Sequence, residues 1–206
     1  MPLRPRKEIV STPQTVQHYT ARADEYAHHL GSLEATHPAD RELIGRWASG
    51  VDGDILDVGC GPGHWTAFLH QQGASVRGID PVERFIEIAQ SAHPQVDYRV
   101  GSVMELADGA ANGILAWYSL IHLDPTEMEP ALRRCRSALV PGGSLLIGFF
   151  DGPEVEAFDH AVTTAHFWPV HELAVLLETV GFSVLETVQR HDEGSRPHAA
   201  IIAALP

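Results

Sequence analysis

Residues 55–65 read ILDVGCGPGHW. Four residues suited to a buried strand run directly into three glycines and a proline within positions 59–63. A glycine inside an element costs up to ~1 kcal/mol, and what it returns is backbone freedom and close approach. The pattern predicts a strand ending in a turn against whose backbone something lies.

Outward from this stretch, short apolar runs alternate with amphipathic ones. DILDVG (54–59), SVRGID (75–80), VDYRVG (96–101), GILAWYSL (113–120) and SLLIGFF (144–150) read as strands. Between them, 64–73, 82–93 and 125–140 carry helical spacing. Alternation of this kind predicts βαβ units, hence a parallel sheet covered on both faces. Asp80-Pro81-Val82-Glu83 and Asp124-Pro125-Thr126-Glu127 each place Asp at N-cap, Pro at the first helical position and Glu three residues on. Near the C-terminus, FSVLETVQRH (182–191) and AAIIAALP (199–206) are separated by seven residues. That gap is too short for a crossover helix, so the two should pair antiparallel. The expected fold is α/β, a Rossmann-like, seven-stranded, mostly parallel sheet with a reversed last strand and helices on both faces. Two helices (15–31 and 38–50) precede it within a 1–50 segment expected to cover the site. The main domain is expected over 51–206, with 151–169 as a lid before a helix over 169–182.

Composition narrows the function. The chain has 206 residues and a formal net charge of −13. Its basic clusters are Arg4-Pro5-Arg6-Lys7, read as a loose tail, and Arg133-Arg134 with Arg136, read as a solvated helix face. That balance disfavours a nucleic-acid partner. No apolar run reaches the ~18 residues that span a bilayer, and the N-terminus lacks a signal-peptide core. A cytoplasmic protein without a membrane partner is the expectation, and nothing in the sequence sets its oligomeric state. Cys60 and Cys135 suggest no disulfide framework.

The glycines at 59, 61 and 63 give G-x-G-x-G and not the dinucleotide G-x-G-x-x-G, and Pro62 removes an N–H that a phosphate would need. Asp57-Val58-Gly59-Cys60-Gly61-Pro62-Gly63 instead resembles the first motif of the class I S-adenosylmethionine-dependent methyltransferases. Asp80 closing the second strand, VPGG (140–143) before the fifth and the terminal hairpin fit the same family. The runs WYSLIHLDPTE, VPGGSLLIGFF and RPHAAIIAAL resemble its bacterial small-molecule members.

The resemblance implies S-adenosylmethionine as cofactor and S-adenosylhomocysteine as product. It implies that Gly59, Gly61 and Gly63 approach the methionine and ribose, with Cys60 a small residue inside the loop. Asp57 would help fix the amino group, and Asp80, followed by Pro81, would accept from both ribose hydroxyls. Ser102 and Val103 stand where the family contacts adenine, though its usual Asp is missing there. Tyr118 lies near the methionine end. Tyr19, Ala23 and Tyr26 resemble a helix that covers the cofactor, and equally suit the buried stripe of an amphipathic helix.

His122 stands near the expected transfer point as a candidate base or orienting group, against the plainer reading of a packed histidine. The nucleobase-methylating run after strand four is absent, and Asp124 stands alone where metal-dependent catechol enzymes need several ligands. Phe158, His160, His166, Phe167 and Trp168 suit a lid over a largely apolar pocket. Asp151, Glu154, Glu156 and Asp159 read as surface charge. The expected function is metal-independent methyl transfer to a small molecule. An NAD-dependent oxidoreductase and a non-catalytic S-adenosylmethionine-binding protein are the alternatives.

Overall fold

The computed structural model describes residues 13–206; the basic run at 4–7 lies outside the described residues. Two helices come first, α1 (Pro13–Leu30) and α2 (Pro38–Ser49). Then follow β1 (Ile55–Val58), α3 (His64–Gln71), β2 (Val76–Asp80), α4 (Glu83–Ala92), β3 (Asp97–Val100) and β4 (Ala111–Trp117). The chain continues with α5 (Pro125–Ala138), β5 (Leu139–Asp151), β6 (Glu156–Asp159), β7 (Thr164–Trp168), α6 (Val170–Thr179), β8 (Ser183–Arg190) and β9 (His198–Ala204).

The strands form one sheet. β3, β2, β1, β4 and β5 pair parallel in that spatial order. β9 then runs antiparallel to both β5 and β8, so the last strand is the reversed one. Beyond the seven expected strands lies a β6–β7 hairpin, docked through Phe150 and Asp151 of β5 against Phe167 and Trp168 of β7. Much of the 151–169 segment, expected as a lid, is therefore sheet. The apolar alternation of Phe158, Ala165 and Phe167 stacks Phe158 on Phe167, centroids 4.2 Å apart, and satisfies the hairpin without a helix.

Strand alternation divides the core in two, as a period of two requires. Leu56, Val58, Ile114, Ala116, Leu145 and Ile147 face one layer with Leu132 and Cys135 of α5 and Leu173 and Leu177 of α6. Ile55, Leu115 and Leu146 face the other with Leu43, Ile44 and Trp47 of α2 and Trp65 and Leu69 of α3. α1 belongs to neither layer. It lies on α4 through a small separate cluster of Ala23, Val82 and Phe85, flanked by Tyr19 and Tyr26.

The two expected N-caps part company. Asp124 caps α5, accepting from the Thr126 N–H at 3.0 Å, with Glu127 accepting from the Asp124 N–H at 3.1 Å. α4, by contrast, begins at Glu83 with Val82 as N-cap, so Asp80 is not a cap and Pro81 is not its first helical residue. Asp151 is a second correction: it is buried, 8% exposed, and accepts from Gln189 Nε2 at 2.7 Å. Its position in the β5–β9 pairing decides its environment, since the Asp151 N–H also donates to the Pro197 carbonyl.

Packing this close makes core truncation costly. Leu132→Ala, at a fully buried position, should lower unfolding free energy by about 2–5 kcal/mol in a urea titration. Leu185→Ala, on an exposed side chain, should stay within about 0.5 kcal/mol of the parent. Equal effects at the two sites would contradict the layering.

Candidate functional site

The parallel register Val58↔Ile79 sets the ends of β1 and β2 side by side. The loop at 59–63 therefore folds onto the end of β2, where the Gly59 and Cys60 N–H groups both donate to the Ile79 carbonyl. One step further, Asp80 Oδ2 accepts from the Gly61 N–H at 2.9 Å and Oδ1 from the Val82 N–H at 2.8 Å. Asp80 is 6% exposed. Burial pushes its carboxyl up to about 6, against the pull of the two N–H donors. In the empty protein that shift subtracts stability as pH rises from the ordinary 3.8 through about 6. Additional donors from a ligand would offset it.

Asp80 lines a cleft at the carboxyl ends of β1, β2 and β4, the place where open α/β sheets bind ligands. Gly59, Gly61, Pro81, Ser102, Val103, Tyr118, Tyr19 and Tyr26 line it too. The three loop glycines differ in what they face. A Cβ on Gly59 would lie 2.2 Å from Ser119 Cβ, so the protein's own strand-four loop demands that glycine. Gly63 packs over Ala89 and Tyr98 and lines neither this cleft nor the adjoining chamber. Only Gly61, at φ +53°, has nothing within 4 Å of the added Cβ, and it opens onto the cleft.

A second chamber shares Tyr19, Tyr26, Gly59, Gly61, Trp117 and Tyr118 with the first. Asp57 and Cys60 lie on this side. Asp57 is 2% exposed and accepts from the Thr66 hydroxyl at 2.7 Å; burial pushes its carboxyl up to about 7. Cys60 is buried, its Sγ set 2.9 Å from where a Gly78 Cβ would stand. Tyr118 has φ +55°, the left-handed region that non-glycine residues seldom occupy outside functional sites. Its hydroxyl is hydrogen-bonded to His198 Nδ1. The next residue, Ser119, lines the first cleft with a buried hydroxyl that has no partner among the described residues.

His122 joins three elements. Its Nδ1 lies 2.8 Å from the Thr164 carbonyl, which can only accept, so Nδ1 carries the proton. Nε2 is then a bare acceptor, and the Tyr19 hydroxyl donates to it at 2.7 Å. Burial first, then His160 and His166, hold the His122 imidazole down at about 4, so it is neutral at pH 7. This geometry also describes a histidine packed just before α5 with both nitrogens hydrogen-bonded within the protein.

Sequence reasoning missed the far wall of the second chamber. Phe150, His198 and Arg190 are cross-strand neighbours on β5, β9 and β8, and Arg190 pairs with Asp40 of α2 and, at 2.7 Å, with Asp192. Each is unremarked alone; only the antiparallel register aligns them. Among the described residues, no group of three or more His, Cys, Asp or Glu side chains is placed to hold a metal ion, and no helix is long and apolar enough to cross a membrane.

Residues 55–143 match a protein-family model described as "Methyltransferase domain". The chain is 36% identical over 175 residues to the mouse mitochondrial ubiquinone biosynthesis O-methyltransferase, covering 69% of this chain and 46% of that protein. It spans about half the length of the curated relatives it matches. Among solved structures, the 1,6-didemethyltoxoflavin-N1-methyltransferase of Burkholderia thailandensis, with S-adenosylhomocysteine bound, superimposes with a TM-score of 0.73. The pair is 23% identical and covers 100% of this chain and 92% of the other. The [4+2]-cyclase SpnF superimposes with a TM-score of 0.78 at 18% identity, covering 94% and 95%. Sequence match, motif and topology agree: residues 55–143 are a methyltransferase domain of the class I S-adenosylmethionine-dependent family.

Proposed function

We propose that this chain transfers a methyl group from S-adenosylmethionine to a hydroxyl oxygen on a small aromatic molecule. The observation that carries the reading is one cleft in which a buried carboxylate, Asp80, adjoins the open face of Gly61, while His122 holds an unprotonated Nε2 that accepts from the Tyr19 hydroxyl. The O-methyltransferase name of the mouse relative supports oxygen as the acceptor atom. Trp65, Trp117, Tyr118 and Phe150 lining the second chamber support an aromatic one.

The residues present fit the cofactor. Each Asp80 oxygen accepts one backbone N–H and retains a lone pair, which suits a vicinal diol. Gly61 leaves room for a ribose, Ser102 and Val103 border the adenine side, and the orphaned Ser119 hydroxyl is available to the methionine end. When bound, the sulfonium supplies an activated methyl group. The chain's own work is alignment, exclusion of water and proton removal, with alignment alone able to supply about 7–11 kcal/mol. His122 takes up the proton in the last of these: its tautomer is held by Thr164, and its Nε2 accepts from the Tyr19 hydroxyl. The imidazole would hold the acceptor's proton as positive charge, taking the place of the charge the bound sulfonium would bring to the cleft.

A fold shared with a [4+2]-cyclase does not by itself fix the reaction. The test is therefore transfer of labelled methyl from S-adenosylmethionine to catechol, 4-nitrocatechol and 3,4-dihydroxybenzoate. A methylated acceptor should appear in step with S-adenosylhomocysteine; demethylated cofactor without it would contradict the proposal. His122→Ala should lower kcat about 100-fold, with S-adenosylhomocysteine affinity within about threefold of the parent. Unchanged kcat would remove His122 from the reaction.

Asp80 generates a pH prediction. Ribose hydroxyls donate, so they favour the ionised carboxylate, and binding should release a proton wherever Asp80 is protonated in the empty protein. S-adenosylhomocysteine affinity should rise by up to about tenfold per pH unit below about 6 and level off above it. Asp80→Asn should weaken binding and flatten that slope in calorimetric titrations; an unaltered pH profile would place the titrating group elsewhere.

A further inference from the structure

We propose that Tyr19, and not His122, is the group that meets the acceptor hydroxyl, and that it passes the acceptor's proton to His122. The inference rests on the proposed O-methylation. Both His122 nitrogens are already engaged, Nδ1 by the Thr164 carbonyl and Nε2 by the Tyr19 hydroxyl. An acceptor reaching Nε2 directly would have to expel Tyr19. Tyr19 borders both chambers, whereas His122 borders only the first. The Tyr19 oxygen is thus the outer end of a ready-made chain running from the shared space to Nε2 and on, through the ring, to a backbone carbonyl.

The ring that carries this hydroxyl is fixed. Tyr19 packs edge-on against Tyr26 with centroids 5.6 Å apart and tilts against Phe85 at 5.8 Å. It also meets the His122 ring at 5.3 Å. α1 itself is held at two sides. His18 Nδ1 lies 3.1 Å from Thr163 Oγ1 at the hairpin, and Arg84 Nη2 bonds Asp24 at 2.7 Å on α4. Helix packing alone would be served equally by phenylalanine at position 19. Among the described residues the hydroxyl is hydrogen-bonded to His122, the candidate base.

The step balances. The acceptor O–H bond breaks as a new O–H bond forms on Tyr19, whose original proton moves to His122 Nε2. The electron pair released on the acceptor oxygen forms the bond to the methyl carbon, and the carbon–sulfur pair returns to sulfur. Tyr19 ends as it began, a neutral phenol, and His122 ends as an imidazolium. Burial, Tyr26 and Asp80 all raise the Tyr19 hydroxyl far above its ordinary range, so a standing tyrosinate is disfavoured and the two transfers run together.

Tyr19→Phe keeps the ring and removes only the relay. With catechol, mostly un-ionised at neutral pH, kcat should fall about 100-fold, while S-adenosylhomocysteine affinity and melting temperature stay near the parent's. With 4-nitrocatechol, ionised under slightly alkaline conditions, the loss should shrink to less than about threefold, because no proton needs moving. Equal losses for the two acceptors would overturn the relay and leave Tyr19 a packing residue. Loss in His122→Ala with full activity in Tyr19→Phe would keep His122 as base and sink only the relay. Methylation of neither phenol by the parent protein would sink the acceptor reading and the relay with it. Nitrogen-15 spectra of the full chain test the chain of bonds without any acceptor: His122 should be the Nδ1-protonated tautomer, and an Nε2-protonated ring would overturn the proposal outright.

Discussion

The site depends on the carboxylate of Asp80 binding two backbone N–H groups on opposite sides of a β–α boundary. Gly61 donates from the loop after β1 and Val82 from the turn after β2. Through these bonds the glycine loop is held open over the strand ends instead of collapsing into the cleft. The cost is a carboxylate taken out of water, visible in its raised proton affinity. Such a group is stabilised by whatever brings further donors, so the interaction that shapes the loop also selects what can lie on it.

The remaining geometry follows from the sheet. Parallel register aligns the ends of β1, β2 and β4, and the reversed β9 aligns His198 with Phe150 and Arg190 across three strands. These are long-range placements, set by pairing and not by any local motif. α1 completes the enclosure from outside both core layers, held on α4 by a small aromatic cluster.

Much of the fold could be read in advance because period and punctuation agreed: apolar runs closed by glycine, and a seven-residue gap before the last strand. The capping rule worked for Asp124 and failed for Asp80, because the Asp80 carboxylate found the Gly61 N–H as well as that of Val82 and drew the turn back by two residues. The β6–β7 hairpin escaped notice because its strands are of only four and five residues and gain their support by pairing with the end of β5. At the site, Asp80, Gly61, Ser102 and Tyr118 were legible from position along the chain. What crowds Gly59 and Gly63 was not, since Ser119 and Tyr98 lie 60 and 35 positions away. His122 was legible as a residue type in the right place, but its tautomer is set by Thr164 and its partner by α1.

The claim on which the rest stands is that Asp80 and the open face of Gly61 form a nucleoside site. A crystal structure of the protein soaked with S-adenosylhomocysteine tests it most directly. The account predicts both ribose hydroxyls within hydrogen-bonding distance of the Asp80 oxygens, roughly 2.5–3.0 Å, with the sugar against Gly61 and the sulfur toward Tyr118. A ligand bound elsewhere, or a ribose turned away from Asp80, would contradict it.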